Sequence, residues 1–308
     1  MSFSTDIKNE VSRLDSSKEE LISELSAIVR NSAVIEDKVT IYIENNSVAR
    51  RIFKLFKSIY DVTPVITVRN KYFSNNGYSY ILTISNRLRE ILDDLSVVKD
   101  GLFLDIPRNY IYSDEDLIRA YLRGLFLVTG SINDPKTSKY HLEFLVDDYD
   151  YALFICDLLN QINLNSKVIK RDRKYMIYIK EAEKISDFLR TIKAYNAVMY
   201  YEDIRIYRDH KNMTNRLNNC EQANMDKIFL TASSQIKDIN KLKEYDTYDL
   251  MDEKIKIVMD YRLKYPEASL SELSEIISRE TGHKITKSGL NHRFRKIREI
   301  VNNIENKE

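Results

Sequence analysis

Apolar residues recur along this chain with two alternating periods, one near 3.6 and one of 2. The stretch SVARRIFKLFKSIYDV sets Ile52, Phe53, Leu55, Phe56 and Ile59 against Arg50, Arg51, Lys54 and Lys57. That spacing predicts an amphipathic helix with an apolar side and a solvated cationic side. KVTIYIEN, TPVITVRN, YSYILTIS, KYHLEFLVD, SKVIKRD and KYMIYIKE alternate apolar with polar or aromatic residues. Alternation of this kind predicts strands with one buried and one presented face. Residues 21–95 laid over residues 118–192 show the pattern twice, about 97 residues apart. Each copy reads α-β-α-β-β-α, with room for one further short strand near Val34 or Ile132. A tandem duplication of this type predicts a pseudo-two-fold pair. Ala120 and Gly124 in copy two match Ser23 and Ala27 in copy one. Small residues four apart let two helix backbones approach closely, so the pair of helices carrying them is expected at the axis.

The last sixty residues change character. A helix is predicted from Asp252 to Lys264, ending before Pro266, which cannot continue it. Ser269 and Glu272 form a capping box for a second helix bearing Leu270, Leu273, Ile276 and Ile277, and Gly282 is placed to end it in the left-handed conformation. Thr286 is placed to cap a third helix, with Leu290, Phe294, Ile297 and Val301 on one face. Three short amphipathic helices describe a helix-turn-helix module, although the connection from Arg279 to Lys287 is longer than the usual tight turn. The bland alternative is a plain three-helix bundle. Between scaffold and module, Arg208–Glu244 reads as a helical connector, and KEYDTYDLM (243–251) as a looser hinge. The expected organisation is therefore repeat one at 1–97, repeat two at 98–207, connector at 208–251 and terminal module at 252–304.

Composition fits a soluble globular chain: 308 residues, 43% apolar, 31% charged, net charge +1. No run is apolar enough for a membrane helix, and MSFSTDIKNEVSRL has the mixed charge of an ordinary amphipathic helix, not of a signal peptide. Cys156 and Cys220 lie too far apart for metal-ligand spacing and suit a reducing cytoplasm.

Against this near-neutral background, KITKSGLNHRFRKIR (Lys284–Arg298) carries six Lys/Arg and no carboxylate. An apolar back and a cationic front suit a helix lying in the major groove of DNA. Ser288, Asn291, His292 and Arg295 face away from the apolar stripe and are the expected base-contacting residues. Lys284, Lys287, Arg293, Lys296 and Arg298 flank them and are expected on phosphates, where contacts position the protein and make binding salt-dependent. A second basic set, Lys167, Lys170, Arg171, Arg173 and Lys174, surrounds a turn between two strands of copy two. Its readings are a secondary DNA contact, made by Lys170, Arg171, Arg173 and Lys174, or a solvated hairpin.

LRGLFLVTG (Leu122–Gly130) resembles the motif of the LAGLIDADG homing endonucleases through Leu122, Gly124, Leu125 and Gly130. In that family two such helices pack at the centre of a saddle of sheets, and an acid at the eighth motif position of each holds the catalytic metals. Here that position is Thr129, with Ser32 as its partner in copy one. Hydroxyls do not replace anionic ligands for a hard cation, so no nuclease activity and no metal are expected. Asp37 and Asp134, just beyond each motif helix, read as turn formers.

The chain as a whole resembles the WhiA family of bacterial sporulation and cell-division regulators. SFSTDIKNEV, YLRGLFLVTGSINDPKTSKYHLEF, NRLNNCEQANMDK and KITKSGLNHRFRKI carry the likeness in the right order. It implies an α+β fold: tandem pseudo-two-fold LAGLIDADG-like αββαββα repeats, then an all-α helix-turn-helix domain. The function implied is non-catalytic, sequence-specific transcriptional regulation of cell-division or sporulation genes by a nucleoid-associated cytoplasmic protein. The alternatives are a protein-interaction scaffold on DNA and a residual metal-dependent endonuclease. Expected partners are double-stranded DNA and another transcription regulator or RNA polymerase, with no membrane, cofactor or small-molecule ligand.

Overall fold

Helix α1 (Phe3–Val11) starts on a Ser2 cap, whose side chain accepts from the Thr5 amide, and buries Phe3, Ile7 and Val11. The first repeat follows: α2 (Lys18–Ser32), β1 (Ala33–Ile35), β2 (Val39–Ile43), α3 (Asn46–Tyr60), β3 (Val65–Lys71), β4 (Gly77–Ile84) and α4 (Leu88–Asp94). A short ribbon, β5 (Val98–Lys99) with β6 (Leu102–Phe103), leads to the second repeat. That repeat comprises α5 (Glu115–Thr129), β7 (Gly130–Ile132), β8 (Leu142–Val146), α6 (Tyr149–Gln161), β9 (Lys167–Arg171), β10 (Lys174–Ile179) and α7 (Ala182–Thr191). Helix α8 then runs from Tyr195 to Glu244, before α9 (Glu253–Lys264), α10 (Leu270–Thr281) and α11 (Lys287–Glu305). This computed structural model describes residues 2–71 and 77–306. It forms two compact units, Met1–Arg208 and Asp209–Glu308.

The duplication is visible in the sheets. Both are antiparallel and four-stranded, in the equivalent orders β1-β2-β4-β3 and β7-β8-β10-β9. The extra short strand anticipated near Val34 and Ile132 is present in both copies, as β1 and β7. Alternation decides the faces: Val39, Ile41 and Ile43 of β2 are buried while Tyr42 is exposed, and Leu142, Phe144 and Val146 of β8 are buried. Each such burial contributes roughly 1.5–3 kcal/mol. Ser4 of α1 covers the β7 edge, its hydroxyl accepting from the Ile132 amide at 2.7 Å and donating to the Ile132 carbonyl at 2.8 Å.

Helices α2 and α5 pack on each other through the small residues singled out by the sequence. Ala27, Ala120 and Ser23 are buried. The Ser23 hydroxyl lies 2.7 Å from the Ile111 carbonyl and 2.8 Å from that of Leu117. The expectation for Arg51 was wrong. It lies inside, 6% exposed, and its guanidinium grips the Glu24 carboxylate at 2.8 and 2.9 Å. Arg123 holds the same carboxylate from the other repeat at 2.9 Å. The wheel position that reads as solvent-facing is covered because α2 lies across that side of α3.

The second unit has its own core of Ile239, Leu242, Ile255, Val258, Met259, Leu273, Ile277, Leu290, Phe294, Ile297 and Val301. Its caps are those the sequence spells out. Glu272 accepts from the Ser269 amide at 2.7 Å and donates its own amide to the Ser269 hydroxyl at 3.2 Å. Gly282 has φ 71, and Thr286 caps α11 through the Gly289 amide. The last turns of α8 belong to this core through Ile239 and Leu242. The stretch read as a loose hinge is folded onto it as well. Tyr248 and Met251 pack against the core, and Tyr248 hydrogen-bonds Asp260.

Candidate nucleic-acid interface

The core-facing stripe of α11 fixes the rest of its surface. Because Leu290, Phe294, Ile297 and Val301 are buried, Ser288, Asn291, His292 and Arg295 are exposed. Lys287 and Lys296 are exposed beside them, and Lys284 is exposed in the turn before the helix. Two of the flanking arginines have protein partners. Arg293 is half-buried and donates to the Lys254 carbonyl at 3.3 Å. Arg298 donates through Nε to the Asp238 carboxylate at 3.2 Å and through Nη2 to the Ser234 hydroxyl. These bonds brace α11 against α9 and against the last third of α8. Asn291, Arg295 and Arg298 line a groove of about 360 Å³ whose other wall is Leu230, Ser234, Gln235 and Asp238. The cationic face is therefore held by packing beneath and, at its side, by one ion pair and hydrogen bonds to a carbonyl and a hydroxyl.

The basic hairpin of the second repeat divides by register. Arg171 pairs across with Lys174 on one face of the sheet, whereas Lys170 pairs with Tyr175 on the other. Arg171 also lies 3.3 Å from Glu143, and Lys174 lies 3.0 Å from Asp147. Arg173 is exposed in the two-residue turn, following Asp172 at φ 56. The four residues thus form no single patch.

At the C-terminal ends of the paired helices the two eighth-position hydroxyls turn back into their own helices. Ser32 donates to the Ile28 carbonyl at 2.6 Å and Thr129 to the Leu125 carbonyl at 2.9 Å. Both hydroxyls are thereby committed to backbone. Asp134 acts as a turn former, accepting from the Lys136 amide at 2.8 Å and from the Tyr200 hydroxyl at 3.2 Å. Asp37 is exposed between β1 and β2. Among the described residues no three His, Cys, Asp or Glu side chains gather as they would around an ion. No described helix is long and apolar enough to cross a membrane.

Sequence reasoning did not find Asp238 and Ser234, the partners of Arg298. They lie 60 and 64 residues away along the chain, and no local pattern marks them.

The chain matches known families along most of its length. Residues 18–98 match the WhiA N-terminal LAGLIDADG-like domain, residues 118–211 the WhiA LAGLIDADG-like domain and residues 214–301 the WhiA C-terminal HTH domain. A "Probable cell division protein WhiA" of Staphylococcus haemolyticus is 40% identical over 314 residues, covering 100% of this chain and 99% of its own. That of Staphylococcus saprophyticus is 39% identical over 313 residues with the same coverage. Full-length DUF199/WhiA from Thermatoga maritima shares the fold, with a TM-score of 0.59 at 23% identity over 98% of this chain and 99% of that one. A degenerate LAGLIDADG-like duplication followed by a helix-turn-helix domain, related at this level over the whole length, places the chain in the WhiA family.

Proposed function

We propose that this protein is a non-catalytic, sequence-specific DNA-binding regulator of transcription, acting in the cytoplasm at the nucleoid on cell-division or sporulation genes. The observation that carries this reading is the exposed face of α11. Ser288, Asn291, His292 and Arg295 stand clear of a well-filled core, with Lys284, Lys287 and Lys296 exposed around them. In the proposed complex Arg295 and Asn291 read base edges, since guanidinium pairs bidentately with guanine and carboxamide with adenine. Lys284, Lys287, Lys296 and, less directly, Arg293 and Arg298 meet phosphates. The two braced arginines keep part of their donor capacity, because each guanidinium has five N–H groups.

The absence of catalysis is part of the proposal and rests on the donor set. Two hydroxyls bonded to their own helices supply no negative charge where phosphodiester hydrolysis needs gathered cations. Arg171, Arg173 and Lys174 supply a weaker secondary contact on the second sheet, with Lys170 on its far face. Another transcription regulator or RNA polymerase is the second partner in this reading. The test is a gel-shift series on promoter fragments with intact chain and with Arg295→Ala. Sequence-selective retention by the intact chain that collapses to non-selective retention in the variant supports the reading, and equal selectivity refutes it.

A further inference from the structure

Arg262 is 1% exposed and has no carboxylate partner among the described residues. One guanidinium nitrogen, Nη1, donates to the Ala268 carbonyl at 2.6 Å and the Tyr265 carbonyl at 3.3 Å, while Nε is buried without any acceptor. The nearest other compensation is the Phe294 ring, 5.7 Å from Cζ. A buried charge without a counter-ion is unfavourable, and a buried donor left without an acceptor adds to that cost. Burial accordingly lowers the guanidinium's pKa from its ordinary value. A protein that keeps such a group gains if an anion reaches it.

The opening is there. Arg262 lines a cavity of about 460 Å³ together with Asn224, Lys227, Thr231, Ser271 and Lys287, and no carboxylate lines it. Lys227 and Lys287 are exposed and form no ion pair among the described residues. The first turn of α10 forms one wall. Its cap satisfies the Glu272 amide, which leaves the Leu270 and Ser271 amides without an intrahelical acceptor. The Glu272 carboxylate is drawn back onto the Ser269 amide. Helix dipole, two ammonium groups and an uncompensated guanidinium all favour negative charge at one place.

We propose that this cavity is a binding site for a phosphate group carried on a larger molecule, either a free nucleotide or the backbone of duplex DNA. A phosphate suits it because several donors must be met by one compact anion, and the volume leaves room for what the phosphate is attached to. The site shares Lys287 with the phosphate-contacting set of α11, so its duplex arm rests on the proposed function, whereas binding of a free nucleotide is read without any duplex present.

The experiment uses the full chain in phosphate-free buffer at constant ionic strength. Inorganic phosphate and adenosine monophosphate are titrated by calorimetry into wild type, Lys227→Glu and a control, Lys237→Glu, both substitutions being at exposed sites on α8. Saturable binding weakened about tenfold or more by Lys227→Glu and untouched by Lys237→Glu supports a free nucleotide as the source, the size expected for reversing a charge near the ligand. If neither small probe binds, duplex affinity is measured against salt. A salt slope reduced by about one in Lys227→Glu alone assigns the pocket to a DNA phosphate. No small-probe binding together with identical salt slopes in both variants overturns the proposal.

Discussion

Gly124 lies directly on the Glu24 backbone: a Cβ placed on it would stand 2.2 Å from the Glu24 carbonyl oxygen. The contact is between the two repeats at their shared axis. It is backbone to backbone, so no side chain can move aside to admit a methyl group.

Gly124→Ala is therefore expected to destabilise the chain by about 2–4 kcal/mol, because α2 and α5 must separate to admit the methyl group. Gly289→Ala is the control, since its Cβ would meet nothing closer than the Thr286 hydroxyl at 3.4 Å. That change should be neutral or slightly stabilising through helix propensity. Urea unfolding of both variants checks the contrast, and equal midpoints would mean the close approach is not essential.

Glu24 is completely buried and is held by Arg51 and Arg123. Replacing it with Gln leaves the buried Arg51 guanidinium without a carboxylate and Arg123 with only that of Glu20 at 3.8 Å, at an expected cost of about 3–5 kcal/mol. Tyr121→Phe removes the 2.8 Å bond to the Tyr151 hydroxyl within the second repeat, leaves every buried charge paired as before, and should cost about 1 kcal/mol. Unfolding midpoints in the reverse order would contradict this ranking.

Burial of the Lys8 ammonium lowers its pKa from 10.5 to about 8. In this window the unfolded chain binds the proton more tightly than the folded one, so this group makes stability rise with pH. The rise begins near pH 8 and is complete near pH 10.5. Below pH 8 the burial penalty is fully present. Lys8→Met should raise stability at pH 7, and the advantage should shrink as pH climbs through that window. A difference between the two stability–pH curves that stays flat from pH 8 to 10 would rule the account out.

On the DNA face, Lys296→Ala should weaken binding to all duplexes and flatten the salt slope by about one, whereas Asn291→Ala should relax preference at one base pair, worth about 1–3 kcal/mol. Arg298→Ala should also lower the stability of the second unit, because its bonds to Asp238 and Ser234 are lost. Binding isotherms on specific and scrambled duplexes, with a thermal melt of each variant, separate the three behaviours.

Supercoiled plasmid incubated with the protein and magnesium or manganese should remain supercoiled. Nicking that disappears in Asp134→Ala would revive the endonuclease reading.

Local chemistry made much of this protein readable from its residues alone. The capping box at Ser269 and Glu272, the left-handed Gly282, the stop before Pro266 and the paired strand patterns all act within a few positions of each other, and all are found in place. The duplication was legible because each copy spells the same succession of periods. The apolar stripe of α11 told which side chains would be outside, since a helix has one inside face once its core residues are known.

Burial of charge was decided only by the tertiary structure. Arg51 reads as solvated on its own helix, yet it meets Glu24 across 27 positions, and Arg123 meets the same carboxylate across 99. Arg298 likewise owes its partners to residues 60 and 64 positions away, and the cavity beside Arg262 is lined from α8 and α11. A helical period states which direction a side chain points. What fills that direction depends on the packing of distant elements, and the electrostatic fate of each arginine follows from that filling.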